Sequence, residues 1–530
     1  MRITFLGHAG LFIETSQGTT ILCDPWFNPA YFGSWFPFPS NEDVDLDAII
    51  RPDYLYVSHL HHDHFDTAFL REHVWKRAKV LLPDFPLGAM ARELSELGFT
   101  RFIQTRNCEP VSLGDARIAI PAVISPADGP LGDSGLIVDD GEVCIFNQND
   151  CRPVELEPLL ALGPFDAHFI QFSGATWYPF VYQYPQGTMD SLGRRKRANG
   201  MTRALRYARE IDARFLFPSA GPPCFLDEQL FHLNDFGEDP ANAFPDQRAF
   251  LSYLHGQGYE RGRLATPGSV ITLERGGCHV ERVQSPEQEQ AFSDKRAYLL
   301  RYQARQRSRI EAIRGALPRG QVDVVKEARE WFEPLLERAD VMCAGIGGVV
   351  ALDLGSEGSN GSGSPDGIAI DFNRRRVEKL NGQQWFHYLK IDRSLVEYCI
   401  VHHLEDWVNE LFLSFRFQAK RKGPYNEYVY TFFKCLSMER LQYAEGYFAE
   451  RSSADQFWEV DGYRIQRRCP HLKADLTKFG RIEDGILTCT MHGWQYDLTT
   501  GRSLTSDGTM LYCRPLPVNK TDADTTPGQP

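Results

Sequence analysis

Tyr54-Leu55-Tyr56-Val57-Ser58-His59-Leu60-His61-His62-Asp63-His64 is the stretch on which the fold of this 530-residue chain turns. Its first four residues have the length and aromatic, β-branched character of a buried strand. They run without a break into a loop carrying four imidazoles and one carboxylate. Ligands at that density can hold two metal ions, so a short strand that ends in a metal-binding loop is the local structure expected here.

Outward from this loop, other short apolar runs stand at Ile3 to Phe5, Leu11 to Glu14, Thr20 to Cys23 and Lys79 to Leu82. They recur at Ala116 to Ile120, Gly135 to Val138, Val143 to Phe146 and Ser269 to Leu273. Gly and Pro punctuate them and helical stretches separate them, which is an α/β layout. A sandwich of sheets flanked by helices accommodates residues 1–285. Residues 286–435 form a second expected unit, a linking helix through AYLLRYQARQRSRIEAIRGAL followed by an α+β domain. In it the segments VMCAGIGGVVALDL and GIAIDFN read as two strands around the Gly- and Ser-rich loop GSEGSNGSGSPDG. Amphipathic helical sequence then runs from Tyr398 to about Phe433. An all-β domain is expected over 436–518, and the tail 519–530 is expected to be disordered.

Composition excludes several classes. Hydrophobic residues are 42% and charged residues 24%, so the chain is globular, and its length calls for several cores rather than one. A formal charge of −13 argues against a nucleic-acid binder. The basic run Arg194-Arg195-Lys196-Arg197 reads as a solvated loop. No apolar run approaches the roughly 18 residues of a membrane span, the N-terminus lacks the apolar core of a secretory signal, and the 12 cysteines show no disulfide framework. A cytoplasmic location is the expectation.

Near the end, Cys469-Pro-His471 is followed after seventeen residues by Cys489-Thr-Met-His492. A Rieske-type centre, one iron on two thiolates and the other on two imidazoles, needs one Cys and one His from each of two loops, which this spacing supplies. The alternative, a two-Cys, two-His zinc site, ordinarily has a different ligand order. The continuation Gly493-Trp494-Gln495-Tyr496-Asp497 resembles that of Rieske oxygenases and ferredoxins. Ala474 and Met491 stand where respiratory Rieske proteins carry a disulfide, which favours the oxygenase-like or ferredoxin-like type. Rieske oxygenases of the common kind place their mononuclear iron domain after the cluster, whereas 38 residues follow His492 here, so any catalytic metal is expected upstream.

The upstream loop resembles the HxHxDH motif of the metallo-β-lactamase superfamily. That resemblance implies an αββα sandwich, with His59 and His61 serving one metal and Asp63 and His64 the other. It implies Asp150 in FNQNDC as the bridging carboxylate, and Asp128 in SPADGPLGDSGL, with Asp133 as its rival, near the place of a third histidine. The family's final histidine would fall near PSAGPPC, where Ala220 stands; His232 or Asp235 are the candidates to compensate. His8 in LGHAG reads as a packing or outer residue, and Asp24 in CDPW as one that orients a ligand histidine.

Two further likenesses concern function. GHAG, SHLHHDHFD, NQND and QFSGATWYPFVYQY resemble cytidine monophosphate N-acetylneuraminate hydroxylase, in which the Rieske domain precedes the metal domain rather than following it. The chain is also similar to metallo-β-lactamase-fold diiron hydroxylases of diterpenoid antibiotic pathways, which act on coenzyme A thioesters. The middle unit resembles a sterol-carrier-like α+β domain, suited to an apolar substrate or to dimerisation. The aromatic residues Trp177, Tyr178, Phe180, Tyr182 and Tyr184 either line a pocket or form a buried strand.

A site in which carboxylate replaces histidine is harder and more anionic, which suits iron beside an electron donor. The expected activity is an oxygen-dependent C–H hydroxylation at two non-haem irons, with O2 as co-substrate and electrons from the Rieske 2Fe-2S cluster. The expected substrate is linked to a carrier, either a diterpenoid coenzyme A thioester or a nucleotide sugar. An external ferredoxin or flavoprotein reductase would feed the cluster, and homo-oligomerisation is open. The alternative is a zinc hydrolase of the lactonase or phosphodiesterase type whose Rieske domain senses redox state.

Overall fold

The computed structural model describes residues 1–124, 132–174, 176–237, 241–282, 286–318, 320, 322–355, 366–449, 456–471, 474–491, 493–505 and 510–516. Two large sheets, with a small pairing of Ala122–Val123 and Asp133–Ser134, make up the described N-terminal part. The first runs in the order Gly277–Glu281, Val270–Glu274, Arg2–Gly7, Gly10–Glu14, Thr20–Cys23, Tyr54–Tyr56, Lys79–Leu82 and Phe102–Gln104. The second runs Phe215–Ser219, Ala167–Gln171, Cys144–Asn149, Leu136–Asp139, Ala116–Ala119 and Val111–Leu113.

Strand alternation assigns the faces. Ile21, Cys23, Tyr54, Tyr56 and Leu81 join Phe169 and Phe217 of the second sheet in a core between the sheets. Their neighbours Leu22, Leu55, Val80 and Leu82 turn outward to meet Phe69 and Leu94 on helices Thr67–Glu72 and Ala89–Glu96. Helices Gln186–Ile211 and Gln247–Gly256 lie against strands Ala167–Gln171 and Phe215–Ser219. The result is the αββα sandwich, and each fully buried Leu or Phe contributes about 1.5–3 kcal/mol to it.

The basic run Arg194–Arg197 lies within the helix Gln186–Ile211 rather than in a loop. The aromatic segment from Trp177 to Tyr184 is turn-rich and partly buried, and forms no named strand.

The middle unit carries a sheet in the order Arg376–Lys379, Gly367–Asp371, Val349–Asp353, His387–Ile391 and Phe417–Arg421. Two readings change here. The first half of VMCAGIGGVVALDL is a helix, Asp340–Ile346, closed by Gly347 at φ 60° before the strand begins. The run from Val341 to Val350 has no charged or strongly polar side chain, which hides that boundary, because periodicity does not separate a short apolar helix from a strand. Phe417–Arg421, read as helical, is a strand whose side chains alternate buried and exposed. Residues 356–365 of the Gly- and Ser-rich loop, and the tail from 517 onward, lie outside the described residues.

Residues 1–450 form one compact unit and 451–530 a second. The first includes helix Met438–Ala449, which the sequence reading placed beyond a boundary at 435/436. It is tied there by Glu445, whose carboxylate accepts from Val341 N at 2.7 Å and Met342 N at 2.8 Å at the start of helix Asp340–Ile346. Its core is continuous across the expected boundary at 285/286. Trp26, Tyr31, Trp35, Phe225 and Phe244 pack in one cluster with Phe332, Trp407, Phe412 and Phe415. The Phe225 and Phe415 rings lie 5.3 Å apart, and Ala419 N donates to Val181 O at 2.8 Å.

The second unit is built from two small antiparallel sheets. One contains Phe457–Val460, Tyr463–Gln466 and Cys513–Pro515; the other contains Gly480–Glu483, Ile486–Cys489 and Trp494–Asp497.

Candidate metal centre and cluster site

Strands Thr20–Cys23 and Tyr54–Tyr56 are parallel, so Asp24 and the histidine loop leave the first sheet at the same edge. In the second sheet Cys144–Asn149, Ala167–Gln171 and Phe215–Ser219 are also parallel, and their carboxyl ends deliver Asp150, Gln171 and Ala220. Crevices at the carboxyl ends of parallel strands are where α/β sheets bind ligands. His8 joins this edge from the hairpin between Arg2–Gly7 and Gly10–Glu14, with φ 52°. Gly10 permits the tight fit, since a Cβ there would lie 2.9 Å from Leu6 Cβ and 3.2 Å from Asp24 O.

Two groups of potential ligands result. His59, His61 and Asp150 form one, and His8, Asp63 and His64 the other; within each, the ligand atoms lie within 4.8 Å of one another. His59 Nε2 and His61 Nδ1 are 2.7 Å apart, and His8 Nε2 is 2.9 Å from Asp63 Oδ2. Asp150 Oδ1 lies 3.7 Å from His64 Nε2, which places it between the groups. His64 Nε2 and Asp150 Oδ1 are buried and make no hydrogen bond, while His8 Nε2 meets only Asp63. Buried polar atoms without partners are costly, and two of them converging beside the His8–Asp63 pair fit a cation.

The surrounding atoms set the orientation of these ligands. Asp24 accepts from Ser58 N at 2.7 Å, from Ser58 Oγ at 2.7 Å and from His64 Nδ1 at 3.0 Å, so His64 turns Nε2 toward Asp63 and Asp150. Tyr31 donates its hydroxyl to Asp63 Oδ1 at 2.7 Å, leaving Oδ2 facing His8 and His64. Burial, with Asp63 second, holds the Tyr31 hydroxyl well above its ordinary range, so it stays a donor. His62, the remaining imidazole of the loop, turns away to Glu410 of the middle unit, 2.8 Å from its Oε1, and stacks on Tyr31 at 5.5 Å.

Burial opposes charge throughout this pocket, and the outcome differs by residue. His64 is pulled down by burial but carried up to about 10 by Asp63, Asp150 and Asp24. Burial likewise pushes the Asp63 carboxyl up, and His64 and His8 overcome it to hold it well below the usual range. Burial, then His64 and His61, keep His59 well below its ordinary value. A carboxylate-rich cavity of this kind favours a cation, whether proton or metal.

Several readings of the sequence shift. His8, taken as a packing residue, is a member of the second ligand group; the shape of the hairpin, invisible in LGHAG, brings it there. Asp133 stands on the far side of His59, its Oδ1 3.3 Å from Nδ1, while Nε2 faces His61. Asp128 lies outside the described residues. Ala220 donates its N–H to His8 O at 2.8 Å, so the chain at the place of the missing histidine is bonded to the residue that carries an imidazole. His232 and Asp235 join neither ligand group; Asp235 pairs with Arg197 at 2.9 Å.

In the second unit Cys469 and Cys489 are 1% exposed. The Tyr496 hydroxyl lies 3.3 Å from Cys469 Sγ, and His471 stacks on Trp494 at 4.1 Å. Burial would push the Cys469 thiol up, but Cys489, His471 and Tyr496 bring it down to about 6, which readies a thiolate ligand. Ala474 and Met491 are buried beside them, and His492 lies outside the described residues.

Comparison with known proteins agrees with this architecture. Residues 2–129 match a β-lactamase superfamily domain, 324–450 an Rv3818-like, SCP2-like domain, and 457–509 a Rieske [2Fe-2S] domain. The chain is thus a Rieske iron–sulfur protein joined to a β-lactamase-superfamily domain. The Rieske 2Fe-2S iron-sulfur protein Rv3818 of Mycobacterium tuberculosis is 46% identical over 524 residues, covering 96% of this chain and 99% of its own. A Rieske 2Fe-2S iron-sulfur protein of Mycolicibacterium smegmatis is 45% identical over 526 residues, covering 97% and 100%. The chain belongs to this Rv3818 family.

Among solved structures, the metallo hydrolase Igni18 from Ignicoccus hospitalis is 18% identical with a TM-score of 0.36, covering 52% of this chain and 98% of its own. CmlA, a diiron β-hydroxylase from Streptomyces venezuelae, is 21% identical with a TM-score of 0.34, covering 53% and 54%. Neither likeness bears on the activity of this chain. No described helix is long and apolar enough to cross a membrane.

Proposed function

We propose that this protein is a non-haem diiron monooxygenase that hydroxylates a C–H bond of a carrier-linked substrate, such as a diterpenoid coenzyme A thioester or a nucleotide sugar. The observation that carries this reading is the pairing, in one chain, of a Rieske domain with two adjoining ligand groups enriched in carboxylate. Loaded with iron, such a site supplies dioxygen activation with electrons drawn through the cluster from an external ferredoxin or flavoprotein reductase. A zinc hydrolase would make no use of those electrons.

The residues of the chain divide the work. His59 and His61 hold one ion and Asp63 and His64 the other, with Asp150 between them and His8 supplying the imidazole that Ala220 does not. Asp24 fixes the His64 ring, and Tyr31 fixes the Asp63 carboxylate. Cys469, His471, Cys489 and His492 hold the cluster.

Metal analysis of the protein purified without oxygen, with Mössbauer spectroscopy, tests the proposal. About four irons per chain are expected, two in the cluster and two outside it. Two zincs, with iron only in the cluster, would overturn it.

A further inference from the structure

The Arg194–Arg197 run finds a use that a solvated loop would not give it. Within the helix Gln186–Ile211, Arg197 is taken up by Asp235, whereas Lys196 reaches over the ring of Tyr178, its Nζ 5.5 Å from the centroid. Burial, and after it the cations Arg203, Arg152 and Arg195, draws the Lys196 ammonium down to about 8. The side chain is half-buried.

The cations around Lys196 reach the sheet edge that carries the metal ligands. Arg152 follows Asp150 by two residues and donates Nη2 to Gln171 Oε1 at 2.9 Å, at the end of the adjacent parallel strand. Gly174 leaves room for it, since a Cβ there would stand 2.9 Å from Arg152 Nη2. From the middle unit, Arg421 lies 5.5 Å from the Tyr178 ring and 5.3 Å from that of Tyr182. Arg152 Nε and Arg421 Nη1 are buried without a hydrogen-bond partner. Unsatisfied buried guanidinium donors are rare; here Arg421 shares the Tyr178 ring with Lys196, and Arg152 is among the cations that act on Lys196.

We propose that this cluster of cations binds the phosphate or pyrophosphate group of the substrate's carrier through Arg152, Lys196 and Arg421, holding the reactive end toward Asp150. A monocarboxylate would answer one of these cations. A phosphate offers several acceptor oxygens and up to two charges, matching two guanidinium forks and an ammonium. The inference rests on the hydroxylase reading for what the carrier delivers, while the anion site itself is testable apart from it.

The test is isothermal titration calorimetry of inorganic pyrophosphate into the full-length, metal-loaded protein and its Lys196→Met, Lys196→Arg and Arg421→Met variants. Binding by the wild type is expected to weaken about tenfold or more in Lys196→Met and in Arg421→Met, the scale of one charge-assisted hydrogen bond, and to survive in Lys196→Arg. Melting temperatures matched to wild type establish that the variants are folded; should Arg421→Met melt early, the two Lys196 variants decide alone. Absence of binding at about 1 mM pyrophosphate would overturn the proposal. Equal affinity in wild type and Lys196→Met would also overturn it, since the metals alone would then be taking the anion. Pyrophosphate binding together with zinc in the metal centre would leave this site standing and remove the hydroxylase.

Discussion

Replacing Tyr496 by phenylalanine isolates one contact of the cluster site, the hydroxyl 3.3 Å from Cys469 Sγ. Tyr496 is fully buried, so no solvent donor takes the place of the lost hydroxyl. Reduction adds negative charge to the cluster and its sulfurs, so a hydrogen-bond donor stabilises the reduced form more than the oxidised one. Hydrogen bonds to charged groups contribute about 1.5–3 kcal/mol, and the difference between two oxidation states is a fraction of that, about 1 kcal/mol. For a one-electron couple about 59 mV corresponds to a tenfold change, or about 1.4 kcal/mol, so the potential should fall by roughly 40 mV. Electron paramagnetic resonance during a redox titration reads the potential and shows whether the cluster is intact. An unchanged or raised potential with an unaltered spectrum would refute the assignment of the hydroxyl as a donor to the cluster.

His8→Ala should reduce the non-cluster metal by about one ion per chain, measured by elemental analysis, whereas His232→Ala should leave it unchanged. Asp246 caps helix Gln247–Gly256 through Ala249 N at 2.9 Å and meets Lys295 Nζ at 3.1 Å. Asp246→Ala should therefore cost about 1–3 kcal/mol in urea unfolding at neutral pH. Burial pushes the Asp246 carboxyl up, but Lys295 and the cap overcome it and leave it below its unfolded value. Its contribution is thus complete above about pH 4 and is lost as the pH falls through the folded value, so the gap between wild type and variant should narrow in acid. A gap that widens would contradict this. Phe225→Ala, at the junction of the N-terminal sandwich and the middle unit, should cost about 3–5 kcal/mol and lower one shared calorimetric transition for both; two transitions, only one of them shifted, would show separate cores.

The sandwich was legible because its strands are short, apolar and alternating, and because the ligand loop follows one of them directly. His59, His61 and Asp150 lie in one group of potential ligands, and Asp63 and His64 in the other. His8 was not legible, since its role depends on a hairpin folding back across Asp24, which neighbouring residues do not announce. Asp133 misleads in the opposite sense: it is near in sequence to the expected ligand position but faces the wrong nitrogen of His59. The helix Asp340–Ile346 and the strand Phe417–Arg421 were exchanged for their opposites, one because it is apolar from Val341 onward and the other because five residues are too few to establish a period. Charge runs carry little direction of their own. The basic helix is seated close to the end of the second sheet by packing that includes Gly200 against Phe172 O, where a Cβ would stand 3.0 Å away.

The segment from Trp26 to Trp35 belongs to two structures at once. Its aromatic rings are buried in the cluster that the middle unit completes, and Tyr31 within it holds the Asp63 carboxylate. The middle unit is therefore a wall of the metal pocket, fastened a second time where Glu410 meets His62. Metal retention should act as a gauge of packing far from any ligand: substitutions at Phe332 or Trp407 would loosen the ions before they unfold the chain. A library screened for metal content would then recover core positions alongside ligands, and only structure would tell the two kinds apart.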